Sequence, residues 1–218
     1  MKSVLVTGGT VRLGAAIAAR LECDGWRVIT SSHRADAGAD IVADLAEPLG
    51  AAKLYAAALQ ILGGMPPDAL VNNAALFTGG EAAIAAVNLE APKKLTMLMA
   101  GRESGVGAVV NILDSAVLGA VGSGAAISDS KRRYLESKRE LRAWTLSSAA
   151  TFAATLRVNG VAPGAVLAPT EVHEQAGEML LEHRPTPNDV AAAVAYLLDA
   201  AAVTGTIVPV DAGAHLLG

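Results

Sequence analysis

The sequence predicts an α/β fold: a single domain, residues 1–218, built on a doubly wound parallel sheet with helices on both faces. Short apolar runs alternate with helical patterns along the chain, and short connections join them, as in consecutive β–α–β units. The composition agrees, because 52% of the residues are hydrophobic and only 17% are charged. Parallel strands are buried on both faces and therefore form continuous apolar runs. A length of 218 residues fits one domain.

The N-terminal half alternates four apolar runs with two helical patterns. The predicted strands are residues 4–6, 26–30, 40–44 and 69–71. Leu13, Ile17 and Leu21 recur every four residues and predict the first helix, because this spacing places them on one helical face. A second helix is predicted for residues 54–62, and it ends at Gly63, a typical stop signal.

The C-terminal half continues the same alternation. Its predicted strands are residues 108–113, 155–161 and 207–210. Residues 81–102 predict a long helix, with Pro92 as the candidate position for a break, because proline disrupts a helix interior. Further helices are predicted for residues 131–152 and, after Pro187, for residues 189–201.

A glycine-rich turn joins the first strand to the first helix, with Gly8, Gly9 and Gly14 in it. Such glycines let the backbone approach a pyrophosphate, and the N-terminus of a helix attracts its negative charge. The turn therefore predicts a Rossmann-type dinucleotide-binding fold. Arg12 stands where the strict G-x-G-x-x-G pattern has its middle glycine. A tight turn without a ligand is the alternative interpretation.

The residues after the second strand indicate which dinucleotide binds. A Rossmann fold that selects NAD has an acidic residue near the end of this strand, for the ribose 2′-hydroxyl. This sequence has His33 and Arg34 there, and Arg12 is available from the first turn. Guanidinium groups suit a 2′-phosphate, because their planar donors match phosphate oxygens. The pattern favours NADPH/NADP; an exposed arginine without a ligand is the alternative.

Tyr134 and Lys138 are one helical turn apart and share a face of the predicted helix. A nearby ammonium group favours the phenolate and lowers a tyrosine pKa from about 10, which helps proton transfer near neutrality. The other tyrosines, Tyr55 and Tyr196, have no lysine four residues later. The pair is therefore the candidate catalytic pair, although this spacing also occurs by chance.

An ordered set of motifs resembles the short-chain dehydrogenase/reductase family over residues 2–217. The motifs are Thr7, Gly8 and Gly14; Asp44 and Leu45; Asn72, Asn73 and Ala74; Asn88; Tyr134 and Lys138; Arg157, Asn159, Pro163 and Gly164; and Thr204 and Gly205. The resemblance implies that Lys138 also binds the nicotinamide ribose, and that Asn88 holds a kinked helix and a proton-relay water. The implied cofactor-binding residues are Gly8, Arg12, Leu13, Gly14, His33, Arg34, Asp44, Leu45, Asn73, Ala74, Lys138, Pro163 and Gly164.

Within this family the sequence is most similar to pteridine reductases and bacterial dihydromonapterin reductases. Arg12 and the pair His33 and Arg34 resemble their cofactor-selecting residues. Phe77 resembles the aromatic residue that stacks on the pterin, and Asp114 stands where most relatives have a catalytic serine. The implied catalytic residues are Tyr134, Lys138, Asp114 and Asn88, and the implied substrate-binding residues are Phe77, Asp114 and Tyr134.

Asp114 favours one reaction over another. An ionised carboxylate only accepts hydrogen bonds, which suits the N–H groups of a pterin better than a ketone oxygen. We therefore expect an NADPH-dependent reductase of a pterin-type C=N substrate: a dihydropteridine, dihydromonapterin or a dihydrofolate-like compound. The alternatives are a reductase of ketones such as 3-oxoacyl compounds, and a catalytically silent NADP-binding regulatory protein. The segment between Asp114 and Tyr134 is longer than in relatives, so Ser115 or Ser123 is an alternative to Asp114.

Charge and composition bear on partners and location. The 17 basic and 21 acidic residues give a net charge of −4, which provides no electrostatic basis for binding nucleic acid. The sequence shows neither a signal-peptide pattern nor a charge-free run of 18 apolar residues, so we expect a cytoplasmic protein without a membrane partner. No standard metal-site spacing is present.

The resemblance implies a homo-oligomer, with a tetramer expected, packed through helices 81–102 and 131–152 and the last strand.

Overall fold

The structure, a computed structural model, describes residues 1–103, 105–119, 127–166 and 178–217. Within these residues seven parallel strands form one sheet in the order β3-β2-β1-β4-β5-β6-β7. The strands are β1 (Ser3–Thr7), β2 (Arg27–Ser32), β3 (Ile41–Val42), β4 (Ala69–Asn72), β5 (Gly107–Ile112), β6 (Leu156–Pro163) and β7 (Ile207–Val210). The strand order reverses between β1 and β4, and such a switch point opens a cleft at the carboxyl edge of a parallel sheet. The predicted doubly wound fold is confirmed.

Helices cover both faces of the sheet. Those in the described residues are α1 (Arg12–Cys23), α2 (Gly50–Ile61), α3 (Glu81–Ala85), α4 (Ala91–Ala100), α5 (Asp129–Thr151) and α6 (Pro187–Asp199). The predicted helix 81–102 consists of α3 and α4 joined by a π-helical turn, Ala86–Glu90. Pro92 lies in the first turn of α4. Pro92 has no N–H group to donate to the Asn88 carbonyl, so the regular α-helical hydrogen bond between these two residues cannot form. The helix is accordingly irregular at this point.

The core has two layers, one on each face of the sheet. In β1, Val4 and Val6 belong to one layer and Leu5 to the other, because side chains alternate along a strand. Helices α1 and α6 pack on the first face through buried residues such as Ile17 and Val194. Helices α2, α4 and α5 supply the second layer. Because all seven strands are parallel, their carboxyl ends lie at the same edge of the sheet.

Buried polar side chains tie two central strands to α5. The Asn72 side chain donates to Asn111 Oδ1 at 2.8 Å, and Asn111 Nδ2 donates to Thr145 Oγ1 at 2.9 Å. Asn72 and Asn111 are register partners at the ends of β4 and β5. This chain of bonds fixes α5 against the sheet edge that carries the cleft. In the described part of the chain, none of the helices is apolar enough over a sufficient length to span a membrane.

Candidate active site

A cleft of about 1040 Å³ opens at the carboxyl edge of the sheet, above the point where the strand order reverses. Its walls come from the turn after β1, the ends of β2, β4, β5 and β6, and α5. All thirteen residues predicted to bind the cofactor line this cleft: Gly8, Arg12, Leu13, Gly14, His33, Arg34, Asp44, Leu45, Asn73, Ala74, Lys138, Pro163 and Gly164. Asp114 and Tyr134 line it as well.

The glycine-rich turn owes its shape to backbone contacts that side chains would block. Gly8 has a φ of +62°, a conformation that glycine adopts easily. A Cβ at Gly14 would collide with the Gly8 carbonyl oxygen, so α1 packs directly on the turn. Arg12 has a φ of +52°, which explains why a glycine is favoured at this place in the strict pattern.

Asn73 and Thr7 hold the turn against the end of β4. The Asn73 side chain donates to the carbonyls of Thr7 and Gly8, at 3.0 and 3.1 Å. Thr7 Oγ1 accepts hydrogen bonds from the backbone N–H groups of Asn73 and Ala74, both at 3.0 Å. Thr7 had no predicted role, although its position directly before the first glycine was an available signal.

At the β2 end of the cleft, Arg34 is paired with an acidic residue that the sequence analysis did not identify. Arg34 Nε and Nη2 donate to the two carboxylate oxygens of Asp36, at 3.0 and 2.8 Å. Both side chains are exposed, and Asp36 also lines the cleft. The mutual hydrogen bonds raise the pKa of Arg34 and lower the pKa of Asp36, so both groups are charged at neutral pH.

Tyr134 and Asp114 meet in the cleft despite the long segment between them. The Tyr134 hydroxyl donates to Asp114 Oδ2 at 3.1 Å. Asp114 Oδ1 accepts from the Ala116 N–H at 2.9 Å, which caps the short helix Ser115–Val117. Ser115 is buried, and Ser123 lies outside the described residues. The hydrogen bond to Tyr134 therefore favours Asp114 over Ser115.

Lys138 lies beneath this pair, almost entirely buried. Its ammonium donates to the Ile112 carbonyl at 2.7 Å and lies 5.7 Å from the centroid of the Tyr134 ring. Burial lowers the pKa of Lys138 to about 8, and the negative charge of Asp114 opposes that shift. Lys138 is therefore mostly protonated at neutral pH and loses its charge in mildly alkaline solution.

Asn88 is fully buried in the π-helical turn. Its side chain bonds both backbone groups of Leu76: Nδ2 donates to the carbonyl at 2.9 Å, and Oδ1 accepts from the N–H at 2.7 Å. Nδ2 also donates to Ser137 Oγ at 3.1 Å, and Ser137 Oγ donates to the Tyr134 carbonyl at 2.6 Å. Asn88 thus connects the irregular turn, the loop after β4 and α5. The contribution of Ser137 was not foreseen.

Phe77 directly follows Leu76, whose backbone N–H and carbonyl groups are bonded by the Asn88 side chain. Its ring centroid lies 5.0 Å from that of Tyr134, with the two planes tilted by 50°. The side chain is 37% exposed. Phe77 thus packs beside the candidate proton donor, but it is not among the residues that line the cleft. Its substrate-binding role stays a prediction.

At the β6 end, Pro163 and Gly164 form the wall opposite the glycine-rich turn. A Cβ at Gly164 would lie 2.7 Å from the Cβ of Asp211, so only a glycine fits there without a shift. Asp211 is buried, accepts from the His215 N–H at 2.8 Å and lies 2.8 Å from His215 Nδ1. This contact places the segment after β7 behind the cleft wall.

The sheet order, the glycine-rich turn and the Tyr134–Lys138 pair at the cleft define an oxidoreductase of the Rossmann type. The chain belongs to the short-chain dehydrogenase/reductase family: residues 11–215 match the family described as Enoyl-(Acyl carrier protein) reductase. The predicted family is confirmed.

Individual relatives are similar along almost the whole chain. The granaticin polyketide synthase putative ketoacyl reductase 2 of Streptomyces violaceoruber is 32% identical, over 98% of this chain and 96% of its own length. The FolM alternative dihydrofolate reductase 1 of Brucella canis, solved with NADP, has a TM-score of 0.83 and 29% identity, covering 99% of this chain and 94% of the other. A short-chain dehydrogenase of Burkholderia cenocepacia J2315, also solved with NADP, has a TM-score of 0.82 and 27% identity, covering 98% and 97%.

These similarities confirm the prediction of an oxidoreductase. Both solved relatives are complexes with NADP, which bears out the predicted cofactor. The names of the relatives differ in substrate, one being a dihydrofolate reductase and another a putative ketoacyl reductase. The substrate therefore has to be argued from the residues of the cleft.

Proposed function

We propose that this protein is an NADPH-dependent reductase that transfers hydride to a C=N bond of a pterin-type substrate, such as a dihydropteridine, dihydromonapterin or a dihydrofolate-like compound. The observation that supports it most is the hydrogen bond from the Tyr134 hydroxyl to Asp114, 3.1 Å long. It places a proton donor and a carboxylate acceptor side by side in the cleft. The similarity to FolM alternative dihydrofolate reductase 1 supports the same substrate class.

The residues present fit NADPH. The first turn of α1 contains no acidic residue, so its N-terminal N–H groups attract a pyrophosphate without opposition. Arg12 and Arg34 at the far end of the cleft suit a 2′-phosphate. Lys138, with its ammonium at the floor of the cleft, suits the ribose of the nicotinamide half. Bound NADPH supplies the hydride.

The protein side chains divide the remaining chemistry among them. Tyr134 delivers its hydroxyl proton to the substrate nitrogen, and the charge of Lys138 stabilises the phenolate that remains. Asp114, fixed by the Ala116 N–H, accepts hydrogen bonds from N–H groups of the pterin ring. Phe77 offers an exposed ring face on which a flat heterocycle stacks. Asn88 keeps the Phe77 loop and α5 in place.

A ketone reductase is the second candidate, supported by the 32% identity to a putative ketoacyl reductase. A carboxylate at position 114 argues against it. Hydride transfer develops negative charge on the ketone oxygen or on the pterin nitrogen, and an ionised carboxylate repels either charge. A simple ketone offers that carboxylate no hydrogen-bond donor in compensation. A pterin presents N–H groups to the same carboxylate.

The deciding experiment is an NADPH-oxidation assay with dihydropterins, dihydrofolate, a 3-oxoacyl thioester and a simple cyclic ketone. We expect kcat/KM for the best dihydropterin to exceed that for either ketone at least about tenfold, or about 1.4 kcal/mol of transition-state stabilisation. Faster reduction of the ketones would favour the second candidate. No turnover with any substrate, while NADPH still binds, would favour a regulatory NADP-binding protein.

We further propose that the protein is a homo-oligomer, with a tetramer as the expected form. Exposed apolar side chains lie on the helices expected to pack together: Met97 on α4 is 45% exposed, and Leu146 on α5 is 41% exposed. Strand β7 is an edge of the sheet, which is a surface that proteins commonly cover. Light scattering at micromolar concentration tests this, and a monomer would contradict it. Leu146→Glu should weaken the assembly.

A further inference from the structure

We propose that Asp36 competes with the 2′-phosphate for Arg34. This competition reduces the preference of the cleft for NADPH over NADH. This inference rests on the proposed function, because it concerns the phosphate site of the same cleft. Asp36 places an opposing negative charge beside Arg34 in this site.

The geometry of the pair supports competition. Arg34 uses Nε and Nη2 to hold both carboxylate oxygens of Asp36, at 3.0 and 2.8 Å. This two-pronged arrangement is the one that guanidinium groups also use to bind phosphate oxygens. A 2′-phosphate must therefore displace Asp36 from that edge of Arg34 or bind another edge with the carboxylate close by. The first route weakens binding because the two hydrogen bonds between Arg34 and Asp36 are lost. The second weakens it because the two anions repel each other.

Local backbone structure builds the pair into the turn after β2. Asp36 lies in the short helix Ala35–Ala37, directly after Arg34, which has an extended backbone conformation. The Arg34 N–H donates to Ser32 Oγ at 3.1 Å, which ties the arginine to the end of β2. The two side chains are only two residues apart, so their pairing requires no distant part of the fold.

The charges and solvent exposure of Arg34 and Asp36 set how strongly Asp36 weakens phosphate binding. Arg34 and Asp36 together are neutral, so this end of the cleft attracts a phosphate less than a lone arginine does. Both side chains are well exposed, 64% for Arg34 and 70% for Asp36, and solvent screens such exposed pairs strongly. Removal of the Asp36 charge should therefore tighten binding of a 2′-phosphate by about three- to fivefold rather than by orders of magnitude.

The test measures binding to the whole protein with ligands that lack the nicotinamide. Adenosine 2′,5′-bisphosphate carries the 2′-phosphate, and adenosine 5′-monophosphate does not. Calorimetric titration of wild type and Asp36→Asn should show about three- to fivefold tighter bisphosphate binding in the variant, with the monophosphate changed less than about twofold. The gain should shrink as salt concentration rises, because salt screens exposed charges.

Asp24→Asn is the matched control. It removes a similar exposed arginine–aspartate pair, Arg20 Nε to Asp24 Oδ2 at 2.8 Å, on α1 outside the cleft. It should leave both affinities unchanged. When Asp36→Asn is added to Arg34→Gln, the increase in bisphosphate affinity should be much smaller than in the wild-type background, because Asp36 acts through Arg34.

The outcomes separate this inference from the proposed function. If Asp36→Asn leaves bisphosphate binding unchanged or weakens it, while Arg34→Gln weakens it, the competition by Asp36 is refuted and the NADPH site stands. If Arg34→Gln has no effect on bisphosphate binding, Arg34 is not the phosphate ligand, and both the proposed site and the inference fail. If Asp36→Asn increases bisphosphate affinity equally in the Arg34→Gln background, the inference is also overturned.

Discussion

Tyr134 donates its hydroxyl hydrogen to Asp114, with 3.1 Å between Oη and Oδ2. The other oxygen of the same carboxylate is held by the Ala116 N–H, so Asp114 is a fixed acceptor beside the candidate proton donor. The family resemblance implies a serine at this place in most relatives, and a serine can donate. The exchange of a donor for an acceptor is the chemical difference on which the substrate proposal depends.

Asp114→Ser should reduce pterin reduction at least about tenfold, or about 1.4 kcal/mol of transition-state stabilisation, because serine replaces an ionic acceptor for ring N–H groups. Reduction of ketones should be unchanged or faster. Steady-state kcat/KM values with a dihydropterin and a cyclic ketone measure both effects. Ser115→Ala is the control and should leave both rates close to wild type. Unchanged pterin reduction in Asp114→Ser would remove the main support for a pterin substrate.

Tyr134→Phe should lower turnover about a hundredfold or more, since positioned acid catalysis contributes about that much. The variant keeps the aromatic ring that packs beside Phe77, 5.0 Å between centroids, so the cleft should keep its shape. The dissociation constant for NADPH, measured by fluorescence titration, should stay within about twofold of wild type. A variant that keeps most of its activity would show that the proton comes from another group.

Arg34→Asp should reverse or abolish the preference for NADPH over NADH. It replaces a cation that suits the 2′-phosphate with an anion that repels it. The ratio of kcat/KM values for the two cofactors measures this preference. Arg20→Asp, on α1 outside the cleft, is the control and should leave the ratio unchanged. Equal kcat/KM values for both cofactors in the wild type would already contradict the assigned NADPH preference.

Lys138→Met should change how stability depends on pH. In the folded protein burial lowers the pKa of Lys138 to about 8, whereas in the unfolded chain it is about 10.4. Between these values the unfolded chain binds more protons, so the contribution of Lys138 to the free energy of unfolding rises with pH, by up to about 1.4 kcal/mol per pH unit. Below pH 8 its unfavourable contribution is complete and constant.

The free energy of unfolding of the wild type, minus that of Lys138→Met, should therefore rise between pH 8 and pH 10 in urea titrations. Lys53→Met, at an exposed ion pair with Glu47, is the surface control, and the rise for Lys138→Met should exceed any change in its difference curve. A flat curve for Lys138→Met would mean that the buried ammonium keeps its ordinary pKa.

Local patterns were sufficient to predict most of the fold. All seven strands were predicted from short apolar runs, and the signal was clearest in central strands buried along their whole length, such as β1, β4 and β5. The Tyr134–Lys138 pair was visible because both residues lie one turn apart on the same helix. Helix boundaries were less accurate: α2 begins at Gly50 rather than at residue 54, and no apolar periodicity marks its first turn.

Other features depend on residues far apart in the chain and required the tertiary structure. The contact between Asp114 and Tyr134 depends on how the ends of β5 and α5 meet, because the chain between them is long. The lowered pKa of Lys138 depends on its burial next to the Ile112 carbonyl.

The pairing of Arg34 with Asp36 is local, yet it also required the structure. Two exposed charges meet only if the turn between them aims their side chains at each other, and neither apolar periodicity nor residue type records that direction. The same sequence pattern is compatible with a free arginine. Apolar patterning thus determined the strands and helices, because it reports burial, and the motifs indicated which residues surround the cleft. Only the folded chain decided how their charges balance, because electrostatic interactions depend on distance and orientation in space.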